Sequence, residues 1–185
     1  MGKLNVFNSI SLDGYFVDRS GDMSWAHNEA PDQEWDAFVN GNASGGGLLV
    51  FGRVTYEMMA AWWPTPMASQ SNPEVARGIN AAPKVVFSRT LRQAEWNNTK
   101  VLSGDLPSEI RRLKHAGDVA VLGSGNLVSQ LVAEGLVDEL QLVVVPVILG
   151  SGRTMFEGIR GALRVKRSGT RAFRNGNVLL CYQPA

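Results

Sequence analysis

The sequence predicts an α/β domain built on a mainly parallel sheet, closed by an antiparallel hairpin at its C-terminal end. Short apolar, β-branched runs recur along the 185 residues, and stretches with helix start and stop signals separate them. Strands alternating with helices require crossover connections, which belong to parallel sheets. The last two strands are joined only through residues 171–177, a length that suits a hairpin.

The first strand is read over residues 4–10. Gly45-Gly46-Gly47 then leads flexibly into a second at 48–51. Asn72-Pro73-Glu74 has the form of a helix start, with Asn72 able to cap and Pro73 suited to the first turn. A strand follows at 84–87. The next helix begins near Asp105 and stops at Gly117, and another strand occupies 119–122. Leu127, Val128, Leu131 and Val132 form one apolar helix face that stops at Gly135. The runs 140–149 and 178–182 complete the strands. No linker, repeat or low-complexity segment interrupts the chain, so one domain spanning residues 1–185 is expected.

Composition narrows the function classes. Eighteen basic against 17 acidic residues give a net charge of +1, which leaves no broad basic face for nucleic acid. Cys181 is the only cysteine, so an intramolecular disulfide and a cysteine-rich zinc site are both excluded. Asn5 and Asn8 break the short apolar run at the N-terminus, unlike a secretory leader, and no run reaches the roughly 18 apolar residues of a membrane span. A cytoplasmic protein without metal, membrane or nucleic-acid partners is the expectation.

Three motifs stand at predicted strand ends. Val119 to Leu122 runs into Gly123-Ser124-Gly125-Asn126-Leu127, a strand, glycine turn and helix start whose N–H groups suit a pyrophosphate. Val128 occupies the third glycine position of the common dinucleotide fingerprint, and the turn comes late in the chain, which disfavours a standard Rossmann domain. Phe51-Gly52-Arg53-Val54-Thr55-Tyr56-Glu57 is a second strand-to-helix junction. Ser88-Arg89-Thr90 ends the run 84–87 with two hydroxyls and a guanidinium. Each alone also fits a cap or a solvated charge. Together they point to a ligand with more than one phosphate, because open parallel sheets bind ligands at the carboxyl ends of their strands.

In order and spacing these motifs resemble the dihydrofolate reductase superfamily, a three-layer sandwich. Ser11-Leu12-Asp13-Gly14, Val137-Asp138-Glu139-Leu140 and Pro146 through Gly152 are similar, more narrowly, to the reductase domain of bacterial riboflavin-biosynthesis deaminase-reductases and its stand-alone relatives. The likeness covers residues 4–182. It implies that Arg53 and Thr55 line cofactor phosphates, that Ser88 and Arg89 hold a 2′-phosphate, that Gly123 through Leu127 bind the pyrophosphate, and that Gly52 and Thr90 belong to the same cofactor site. It further implies that Ser9 lies beside a nicotinamide and that NADPH is preferred to NADH. The zinc deaminase half of the bifunctional enzymes has no signature in this chain, and His27 and His115 are read as surface residues.

Reduction of a C=N bond also needs a proton, which a carboxyl can deliver. Asp32, whose spacing to Trp35 is similar to the substrate-binding helix of dihydrofolate reductase, and Asp13, at the substrate end of the first strand by the same likeness, compete for that role. Their plainer readings are a helix cap and a turn. Met23-Ser24-Trp25 resembles the loop that covers the nicotinamide, which makes Trp25 a substrate contact. Trp62 and Trp63 are further candidates to wall a flat ring, or core aromatics. The expected activity is NADPH-dependent reduction of a ribosylaminouracil-type pyrimidine or a pterin. The alternative is a non-catalytic nucleotide- or heterocycle-binding module on the same fold. A homodimer is expected from the likeness and from the run 140–149, if that run is an exposed edge. A central strand covered on both faces explains its apolarity equally well.

Overall fold

The computed structural model describes residues 1–27 and 30–185. β1 (Leu4–Ser11) sorts the layers by its alternation, sending Leu4 and Val6 into one apolar cluster and Phe7 into another on the opposite face. After β2 (Tyr15–Asp18) and a single 3-10 turn at Ser24–Ala26 come α1 (Gln33–Ser44), β3 (Leu48–Gly52) and α2 (Arg53–Trp62). Then follow α3 (Pro66–Ser71), α4 (Pro73–Ala81), β4 (Lys84–Phe87) and β5 (Thr99–Leu102). The second half holds α5 (Leu106–Ala116), β6 (Val119–Val121), α6 (Gly125–Ala133), β7 (Glu139–Val145), β8 (Gly152–Thr154), β9 (Val165–Ala172) and β10 (Val178–Pro184).

The main sheet has eight strands in the order β5-β4-β3-β6-β1-β7-β10-β9, and β2 pairs separately with β8. The pairings from β5 to β7 are parallel and those of β10 with β7 and β9 are antiparallel. The expected α/β class, parallel sheet and terminal hairpin are therefore present. α6 lays Leu127, Val128 and Leu131 on the cluster that holds Leu4, Val6, Val121 and Leu142. α4 brings Val75 and Ile79 to Phe51 and Val86 on the other side of the sheet. Among the described residues no helix is long and apolar enough to cross a membrane.

The run 140–149 ends as a strand at Val145, and Pro146, which has no N–H, opens a loop. β7 lies inside the sheet between β1 and β10, with Leu140 and Leu142 in one cluster and Val143 and Val145 in another. Its apolarity thus comes from burial on both faces, and it lends no support to an exposed dimerising edge. The true edges are the short β5 and the largely exposed, basic β9, where charge discourages strand addition. Asn72 stands at the N-cap of α4 as expected but makes no side-chain capping bond. Asp105 caps α5 through Ser108 N, at 3.1 Å.

Candidate functional site: a glycine cradle at the strand ends

β3 and β6 are neighbours, and each hands the chain directly to a helix, so the N-termini of α2 and α6 emerge side by side. Gly52 N donates to Gly123 O at 2.9 Å and fixes the two junctions together. A Cβ on Gly52 would stand 2.7 Å from Ser124 Oγ, and one on Gly123 would stand 3.1 Å from Thr55 Oγ1. Gly123 also has φ +111°, a region that glycine enters without strain. Only glycine permits this approach.

Neither Gly52 nor Ser124, the N-caps of α2 and α6, contributes a side-chain capping bond, whereas α1, α3 and α5 are capped by Asp32, Thr65 and Asp105. The first-turn N–H groups of two adjacent helices are therefore available to an anion at one place. Thr55 is buried with its hydroxyl against the turn. Arg53 begins α2 with an exposed guanidinium paired to Glu57 at 2.9 and 3.0 Å. Ser88 follows β4, one strand beyond β3, and its Oγ accepts from Thr90 N at 3.1 Å and Leu91 N at 2.9 Å, shaping the turn. Arg89 beside it is exposed and has no hydrogen bond or ion pair among the described residues.

The structure thus gathers Gly52, Arg53, Thr55, Gly123, Ser124 and Gly125 around one cradle, with Ser88, Arg89 and Thr90 at the end of the strand next to β3 and Ser9 on β1 at the other side. Leu127 differs from the expectation, because its side chain is core packing and only its backbone belongs to the helix start. Asn126 is exposed and its Oδ1 accepts from Gln130 Nε2 at 2.6 Å. Trp25 packs on the same side of the sheet as Phe7, against the cluster of Val143, Val145 and Phe173, and donates to Asp22 O at 3.1 Å. Trp62 and Trp63 close α2 at the end remote from the cradle, about 15 Å along the helix. His27 and His115 are exposed.

The two aspartates serve as anchors in this geometry. Asp32 Oδ1 accepts from Glu34 N at 2.9 Å and Trp35 N at 3.2 Å, and its Oδ2 accepts from Asn175 N at 3.0 Å. Burial raises its pKa, but the backbone donors of Asn175, Trp35, Glu34 and Arg174 outweigh it and hold the carboxyl below the ordinary range. Asp32 thereby caps α1 and ties it to the turn between β9 and β10. Asp13 is exposed. Its Oδ1 accepts from Ser11 Oγ at 2.6 Å and Leu149 N at 3.1 Å, and its Oδ2 from Gly150 N at 2.7 Å. The Ser11 hydroxyl, then the N–H groups of Gly150 and Leu149, lower its pKa against some desolvation. A carboxylate held as an anion by several donors is a poor proton source near neutral pH. Both aspartates fit loop fasteners better than acids.

A residue outside the sequence reading also belongs here. Asn8 lies on β1 with its Oδ1 3.4 Å from the point a Cβ on Gly123 would occupy. Its signal in the sequence is a polar residue at the third inward position after Leu4 and Val6. A wide surface groove lined by Ala81, Trp96, Asn97 and Lys100 opens at the amino ends of β4 and β5, opposite the cradle.

Residues 2–179 match the family described as the RibD C-terminal domain. An uncharacterized protein of Bacillus subtilis (strain 168), YyaP, is 26% identical over 176 residues, 94% of this chain and 90% of that protein. A riboflavin-biosynthesis candidate from Shewanella sp. PV-4 has a similar structure, with a TM-score of 0.75 at 21% identity and 99% of each chain covered. A diaminohydroxyphosphoribosylaminopyrimidine deaminase/5-amino-6-(5-phosphoribosylamino)uracil reductase from Thermotoga maritima aligns at a TM-score of 0.66 and 15% identity, covering 100% of this chain and 57% of that one. At these identities the structural likenesses establish the fold.

Proposed function

The chain belongs to the RibD C-terminal domain family, and on that premise we propose that it is an oxidoreductase using NADPH to reduce a small ribosylaminopyrimidine-like or pterin-like heterocycle. The observation that carries the reading is the pair of helix N-termini without side-chain caps, joined through Gly52 and Gly123 at neighbouring strand ends. The residues present fit the cofactor: the cradle suits a pyrophosphate, and the guanidinium of Arg89, unpaired among the described residues, suits a 2′-phosphate. From β6 to β4 is two strand spacings, about 10 Å, a separation within one dinucleotide. NADPH supplies a hydride from its reduced nicotinamide ring.

The chain's own part is binding and orientation. First-turn N–H groups of α2 and α6, with Thr55 beside them, would hold the pyrophosphate, and Arg53 would add charge once released from Glu57. Arg89 separates NADPH from NADH. Ser9 and Trp25 lie on the β1 side, where a flat ring finds an apolar wall. With Asp13 and Asp32 committed to backbone donors, solvent is the simplest source of the proton.

That same commitment favours a second reading, a binding module that keeps the nucleotide cradle without turnover. The two readings separate in one assay, the loss of NADPH absorbance with a ribosylaminopyrimidine and with dihydrofolate as substrates. Turnover of either supports the reductase. Tight NADPH binding without turnover on a broad heterocycle panel supports the binding module, and no NADPH binding overturns both.

A further inference from the structure

β1 alternates between the two apolar layers, and Leu4 and Val6 fill the one beneath α6. The next residue on that face is Asn8. It is only 5% exposed, and among the described residues its Nδ2 has no hydrogen-bond partner. Gly123 turns directly over it, with Thr55 Oγ1 close to the same point. A buried amide N–H without a partner is costly, and a valine here would complete the apolar stripe instead. In this structure the amide turns Oδ1 toward Gly123; a half-turn about its last side-chain bond exchanges the two atoms and puts the unpartnered N–H at the cradle, where an acceptor would arrive.

We propose that Asn8 is a positioning residue whose Nδ2 donates a hydrogen bond to an acceptor oxygen in the nicotinamide half of the bound dinucleotide. This rests on the nucleotide reading of the cradle. The half is assigned by strand order: β1 stands three strands from β4, whose end carries Ser88 and Arg89, a distance of about 14 Å. The adenosine phosphate held at β4 is out of reach of an asparagine on β1. Ser9, the neighbour of Asn8, borders the same end of the cradle from the opposite face.

The test uses calorimetric titration of NADPH and of 2′,5′-ADP, which has no nicotinamide half, into wild type, Asn8→Val and Asn8→Asp. Thermal unfolding is measured on each protein without ligand. Loss of one buried hydrogen bond to the ligand should weaken NADPH roughly tenfold in both variants, while 2′,5′-ADP affinity stays within about twofold, the spread expected when no contact is lost. Asn8→Val should unfold no lower than wild type, an outcome that an amide serving the fold would reverse. Unchanged NADPH affinity in both variants overturns the assignment of Asn8, and equal losses for the two ligands overturn its placement in the nicotinamide half. A large drop in the midpoint of Asn8→Val returns the residue to a structural role, unless the isosteric Asn8→Asp keeps its midpoint and still loses NADPH selectively. A wild type that binds neither ligand overturns the cradle reading itself.

Discussion

Gly125→Ala is the sharpest perturbation of the cradle, because its sign follows from one contact. A Cβ on Gly125 would lie 2.7 Å from Phe16 Cε1 and 3.1 Å from Cζ. Relaxed carbon contacts lie at about 3.5–4.0 Å, so the shortfall is roughly 1 Å. Phe16 is 5% exposed and packed in the largest cluster, which leaves its ring little room to retreat. Overpacking of this kind costs about 1–3 kcal/mol, whereas exchanging a helical glycine for alanine returns about 0.5–1 kcal/mol. The contact wins, by about 1 kcal/mol, or roughly 2–4 °C of melting midpoint at this chain length. The helix start must also move, so NADPH affinity should fall by about tenfold or more, in keeping with the sensitivity of bound geometry to ångström shifts. Differential scanning calorimetry and fluorescence titration read both quantities. Phe16→Leu in the Gly125→Ala background should recover part of each, as expected for coupled neighbours. A Gly125→Ala protein as stable as wild type, with unchanged NADPH affinity, would refute the close approach of α6 to β2.

Glu57→Gln removes the carboxylate that holds Arg53, so NADPH should bind tighter by about 1.4- to 5-fold, the equivalent of the roughly 0.2–1 kcal/mol typical of exposed pairs. The gain should vanish at high salt, and a weaker-binding Glu57→Gln would remove Arg53 from the phosphate site. Asp32→Asn should lower the thermal midpoint while turnover, on any substrate found, falls less than about tenfold, the lower bound for a general acid being larger. Because the Asp32 pKa lies below 3.8 when folded, its stabilisation is present above about pH 4 and is lost as the pH falls through the folded value; acid unfolding of Asp32→Asn should be correspondingly flatter. Lys84 is 1% exposed, donates to the carbonyls of Asn80, Ala82 and Asn97 at 2.7–3.1 Å, and has its pKa pushed down to about 8 by burial. The unfolded chain then binds more protons between that value and the ordinary 10.5, so stability should rise with pH across this window in wild type and not in Lys84→Met. Urea titrations at three pH values check it, and parallel curves for the two proteins would remove Lys84 as the cause.

The parallel half of the sheet and the cradle were legible because strand, glycine and helix follow one another within a few residues at 48–57 and 119–127. Local chemistry decides such junctions. β2, β5 and β8 were not foreseen, although β4 and β6 are just as short: Lys100 and Arg153 interrupt β5 and β8, β2 follows directly on the Asp13-Gly14 turn, and all three exist through their partners. The roles of Asp13 and Asp32 were hidden for a related reason. Asp32 meets Asn175, a residue 143 positions away, and Asp13 meets Gly150, at 137; whether a carboxylate caps or titrates depends on which distant N–H groups face it. Asp138, part of a motif read as a family mark, likewise proves structural, accepting from Leu4 N and Lys114 Nζ at 2.6 Å. Apolarity at 140–145 was real, but one-dimensional patterns do not separate an exposed edge from a strand buried on both faces, and beyond Val145 the run leaves the sheet with Ile148 exposed.

In the proposed function the paired helix starts and Arg89 together hold NADPH. Isothermal titration of NADPH and NADH into wild type and Arg89→Ala tests it most directly. NADPH should bind wild type about tenfold or more tighter than NADH, as a charge-assisted contact to the 2′-phosphate would give, and Arg89→Ala should bring the two affinities together by weakening NADPH alone. Equal affinities in wild type, or an undiminished preference in Arg89→Ala, would contradict it.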